Sequence, residues 1–93
     1  MLEAERQRID EINAEMTRLF EERMQVSAKI AQVKVENQLS LTNVGREQEV
    51  IASQVAQLKD ATLAPYLTDF YRDVMLISKQ YQAKTIKGLG KTK

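Results

Sequence analysis

Residues 9–34 read IDEINAEMTRLFEERMQVSAKIAQVK, and the spacing of their apolar side chains decides the fold. Ile9, Ile12, Met16, Leu19, Val26, Ile30 and Val33 follow one another at helical steps of three and four, with one gap. Such a stripe is the seam of a helix that packs against other helices along its length. No glycine or proline interrupts it, and acids and bases recur at helical spacing, as in Glu11, Glu15 and Arg18. The pattern predicts a helix from about Leu2 to Val35 or Glu36, on the order of 50 Å long. Two shorter helices cannot cover a seam of that length within one subunit. The uncovered part is expected to bury against a second chain, so a dimer follows from length and seam alone.

The gap in the seam falls on Arg23. A guanidinium there is pushed toward the core, where an unpaired charge is too costly to keep. Either a carboxylate meets it inside the protein, with Glu47 the obvious candidate, or an anionic ligand does.

Outward from this helix, NQLSLT at 37–42 breaks the periodicity and reads as a loop. Thr42 or Asn43 is a credible N-cap for a second helix from about Val44 to Leu58. Its inner face is Val44, Ile51, Val55 and Leu58, with Glu47 on the same side and Gly45 leaving room for close approach. After a short connection at Lys59–Thr62, Pro65 suits the first turn of a third helix ending near Ala83. Its main apolar stripe is Leu67, Phe70, Val74, Ile77 and Tyr81. Beside it runs a second stripe, Tyr71, Met75, Ser78 and Gln82, that turns polar. The last residues, KTIKGLGKTK, read as a frayed basic end.

Composition narrows the chemistry. Ninety-three residues make one small domain, which buries only about 60–65% of its unfolded surface and gains from a partner subunit. There is no cysteine and no histidine, which removes disulfides, thiolate nucleophiles and the commonest general base and zinc ligand. A net charge of +1 argues against nucleic acid as the main partner. The charged start MLEAERQRID is unlike a secretory signal, and no apolar run approaches the roughly 18 residues of a membrane span. The expectation is a soluble, cytoplasmic protein with no membrane partner and no cofactor.

Several polar residues sit where a plain bundle has no use for them: Arg23, Glu47, Ser78 and Gln82. Lys34 joins them, eleven residues after Arg23 and so on nearly the same side, roughly 16 Å along the axis. A small dianion fits between two such side chains. Arg6, seventeen residues before Arg23, lies roughly 25 Å from it and reaches the same place only from an antiparallel partner helix. Singly, each has a bland reading: an ion pair, a solvated lysine, the edge of a core. Together they are harder to explain without an anion site.

The order Arg6, Ile9, Asp10, EER at 21–23, Lys34, GRE at 45–47 and ISKQYQ at 77–82 closely resembles the all-helical class of chorismate mutases, from Leu2 to about Ala83. The resemblance implies a three-helix protomer intertwined into a six-helix homodimer, with residues 1–85 as the mutase domain and 86–93 as a flexible basic tail. It also implies the Claisen rearrangement of chorismate to prephenate, toward phenylalanine and tyrosine. That reaction is unimolecular and needs no metal, nucleophile or proton shuttle. Carried over, Arg23 and Arg46 hold the substrate carboxylates, joined by Arg6 from the other subunit and assisted by Ser78. Lys34 and Gln82 donate to the ether oxygen, and Glu47 accepts from the ring hydroxyl. Asn43 stands where the family often has an acid that meets the ring hydroxyl largely through its backbone, so the amide is expected to be tolerated. The rivals are an isochorismate–pyruvate lyase of the same fold, which Ser78 disfavours, and a non-catalytic helical dimerisation module. A free-standing domain without a regulatory partner is expected.

Overall fold

A computed structural model describes the backbone of residues 1–91 and the side chains as far as Lys87. The described residues form three α-helices and no strand: α1 (Glu3–Glu36), α2 (Val44–Val55) and α3 (Ala64–Lys91), with a single 3-10 turn at Ala61–Leu63 before α3. The long unbroken α1 matches its seam. It stops where Gln38 takes a left-handed backbone conformation (φ 57°), which lets the Leu39 N–H reach back to the Lys34 carbonyl at 2.7 Å. Asn43 caps α2, its Oδ1 accepting from the Arg46 N–H at 3.0 Å. Asp60 caps the 3-10 turn in the same way. The Thr62 hydroxyl, and then its N–H, hold the Asp60 carboxyl below the usual aspartate range.

α3 is the element on which the protomer is assembled, since it packs against both α1 and α2. It does so beside the α1 seam rather than on it. Ser27 and Ala31 are the buried residues of α1, and the small side chains let α3 come close. Val26, Ile30 and Val33 stay about half exposed, and every residue from 1 to 22 is exposed.

Three expectations are corrected here. The inner face of α3 is the second stripe, with Met75, Ser78 and Gln82 buried, whereas Phe70, Ile77 and Tyr81 of the main apolar stripe remain exposed. The contacts on this face are polar: Arg23 Nη1 donates to Ser78 Oγ (2.6 Å) and Gln82 Nε2 to the Ser27 carbonyl (3.2 Å), so the face of α3 that offers hydrogen-bonding groups is the one turned to α1. Next, α2 ends at Val55, and Val44 points away from the fold. Finally, α3 continues to Lys91, past the expected stop at Ala83, because nothing between them breaks a helix strongly. The expected tail at 86–93 lies for the most part outside the described side chains.

The protomer is a flat layer of 57 × 27 × 14 Å, little thicker than one helix with its side chains. Its radius of gyration is 16.5 Å, against about 12 Å for a compact chain of this length. Its accessible surface is 7624 Å², about 2,000 Å² more than a folded monomer of this mass presents. A stable domain needs two packed layers around a core, and among the described residues only Ala31 and Met75 are buried and apolar. The buried centre of this layer is polar, and its apolar stripes face out.

Candidate active site

Among the described residues Ser27, Ser78 and Gln82 are the buried polar ones, and all three border one cleft of about 510 Å³ between α1, the 37–43 loop, α2 and α3. α1 contributes Arg23, Val26, Ser27, Ile30 and Lys34, and these positions share a side because they recur at helical spacing. The first turns of α2 contribute Arg46, Glu47 and Val50, with the cap Asn43 and Leu41 from the loop. α3 contributes Met75, Ser78, Lys79 and Gln82.

Each polar group in the cleft is partly engaged and keeps hydrogen-bonding capacity in reserve. Arg23 spends one N–H on Ser78 Oγ, and a guanidinium has five. Ser78 accepts that bond and retains its own O–H to donate. Gln82 uses one amide proton on the Ser27 carbonyl and has a second. Lys34 Nζ donates to the Leu41 carbonyl at 3.1 Å, which draws the loop over the end of α1 and leaves two ammonium protons. Arg46 stands at the mouth, 3.6 Å from the exposed Glu49 carboxylate. Among the described residues four cations and one acid, Glu47, line the space, and the positive end of α2 adds to them. Such a cleft selects an anion carrying more than one charge, and its apolar wall of Val26, Ile30, Val50 and Met75 suits a carbon ring.

Of the eight residues singled out in the sequence, seven meet here: Arg23, Lys34, Asn43, Arg46, Glu47, Ser78 and Gln82. Arg6 does not. It lies on the exposed N-terminal part of α1, away from the cleft of its own chain. Of the two partners open to Arg23, a carboxylate or an anionic ligand, the carboxylate Glu47 does not meet it, and the two residues make separate contacts. Arg23 takes Ser78, and Glu47 Oε1 takes Lys79 Nζ at 2.9 Å. Lys79 was not foreseen, because a lysine one position beyond a stripe has no local signature, and its partner is 32 residues away. Nor does Gly45 serve a close approach within the protomer, since an added Cβ would sit 3.6 Å from Asn43 Oδ1, an ordinary contact.

The chain matches the chorismate mutase type II family over residues 5–83 and belongs to it. No curated protein and no solved structure matches the chain significantly. Among the described residues, no helix is long and apolar enough to cross a membrane.

Proposed function

We propose that this protein is a chorismate mutase acting as a homodimer, its cleft completed by Arg6 of the second copy. The observation that carries the reading is the convergence of seven polar positions, distant in sequence, on one cationic cleft with an apolar wall. In the reaction the ether C–O bond of chorismate breaks as a C–C bond forms between the enolpyruvyl group and the ring. Every electron stays within the substrate. The protein has only to hold the compact chair-like conformer and stabilise the charge that builds on the ether oxygen.

Arg23 and Arg46 hold the two carboxylates, with the Ser78 hydroxyl assisting, and Arg6 closes the site from the partner chain. The unused protons of Lys34 and Gln82 are donated to the ether oxygen. They count for more in the transition state, where that oxygen is richer in charge, than in the ground state. Glu47 accepts a hydrogen bond from the ring hydroxyl. Asn43 keeps α2 capped, which orients Arg46 and Glu47, and an amide caps as well as an acid does. The dimer has its own physical support. The excess surface of about 2,000 Å² per chain is in the range that obligate interfaces bury. The bare stripes of α1 and α3 are its apolar part.

The test is to incubate the purified protein with chorismate, follow the loss of its absorbance and identify the product. Prephenate is the expected product. Salicylate and pyruvate from isochorismate, with chorismate untouched, would move the reading to the lyase. A folded dimer that converts neither substrate would reduce it to an association module.

A further inference from the structure

The roles above leave one cleft contact unused. Lys79 on α3 approaches Glu47 on α2 to 2.9 Å at Oε1, with 33% and 26% of the two side chains exposed. An exposed ion pair between long side chains contributes little, but these two are largely shielded and stand on the wall of the cleft. α2 buries none of its residues, so packing alone fixes its side chains loosely. A glutamate has three torsions to settle, and among the described residues the Glu47 carboxylate has no other side-chain partner. Lys79 in turn is placed firmly, one residue after buried Ser78 and three before buried Gln82. The rigid helix therefore holds the loosely packed one through this contact.

We infer that Lys79 is a positioning residue for Glu47: it pins one carboxylate oxygen so that the other is presented to the ring hydroxyl of the substrate. It also offsets the one negative charge that lines the cleft, which would otherwise repel an incoming dianion. The inference rests on the mutase reading of this cleft. A plain structural tie between α2 and α3 would affect every ligand alike. A positioning role affects recognition of the hydroxyl.

The experiment uses two stable bicyclic ether dicarboxylates, one with the ring hydroxyl and one without it, titrated calorimetrically into the dimer. The proteins are wild type, K79M, K79R, E47Q and the K79M/E47Q double variant, with turnover of chorismate measured alongside. Wild type is expected to prefer the hydroxylated ligand by roughly tenfold or more, as for a hydrogen bond to a charged acceptor. K79M should lose most of that preference and K79R should keep it. Adding K79M to E47Q should change it little, since Lys79 acts through Glu47. K79Q replaces K79M if the latter fails to fold. Equal loss of affinity for both ligands in K79M, or losses from K79M and E47Q that multiply, would overturn the inference while the mutase reading stood. Wild type that binds neither ligand and leaves chorismate unchanged would remove the mutase reading, and this inference with it.

Discussion

The two halves of α1 carry one continuous apolar seam and are treated differently by the rest of the chain. From Arg23 to Val35 the helix is flanked by α3, and its most buried groups are small or polar. From Glu3 to Glu22 nothing covers it, although Ile9, Ile12, Met16 and Leu19 continue the stripe at the same spacing. One half has lining without a complete core, and the other has core residues without a cover. A helix seam specifies that something packs there, but not whether that something belongs to the same chain. The placement of the other two helices settles that question, because they leave residues 1–22 of α1 exposed.

A charge in the bare half should have the largest effect. Met16→Asp leaves the protomer's own contacts intact but places two carboxylates in the proposed interface. Burying an unpaired charge costs about 3–5 kcal/mol. Sedimentation should therefore reveal a dissociated or unfolded chain without activity. A fully active dimer carrying this substitution would mean that the seam faces solvent.

In the packed half, Lys34→Ala or Gln82→Ala should lower kcat/KM by roughly 10²–10³, as for the loss of a donor to developing charge, while the dimer stays folded. Complementation then sharpens the comparison between halves. Arg6→Ala and Gln82→Ala should each be nearly inactive. In a heterodimer of the two, one site receives an intact Arg6 and an intact Gln82. With statistical exchange of subunits, an equal mixture should recover about a quarter of wild-type activity. Recovery of none would place Arg6 outside the site.

Arg23→Leu separates function from stability at the boundary between the halves. An arginine kept for an anionic substrate is a liability to the empty protein, so leucine should preserve or raise the melting temperature while abolishing turnover. A large fall in melting temperature would instead make the Arg23–Ser78 bond a structural tie.

The smallest effect is expected at the end of α1. Gln38 holds a left-handed conformation that only glycine adopts without steric cost. Gln38→Gly should raise stability by up to about 1 kcal/mol, less the entropy gained by the unfolded chain, with turnover unchanged. Thermal melting and the standard assay read both.

Much of the candidate site was legible in the sequence because its parts lie at helical spacings within single elements. Arg23 and Lys34 share a side of α1 by periodicity alone, and Ser78 and Gln82 share one on α3. Which stripe of α3 faces inward was not legible. Phe70, Ile77 and Tyr81 form the more apolar stripe, yet Met75, Ser78 and Gln82 are the residues buried within the protomer. Hydrophobicity ranks stripes by their need for burial, but it does not say which neighbour buries them. Lys79 was out of reach for a related reason, since its significance lies entirely in a partner on another helix.

The sequence by itself determined three helices, the bounds of α1 and the starts of α2 and α3, the polar residues out of place for a plain bundle, and a seam longer than the rest of the protomer covers. Periodicity, caps and turn residues act over a few positions, so one chain read in order contains them. The tertiary structure alone decided the rotation of α3 on α1, the pairing of Arg23 with Ser78 and of Lys79 with Glu47, and the open face along α1. Those depend on which of several similar surfaces meet, a choice made by packing and hydrogen bonding between elements far apart in the chain.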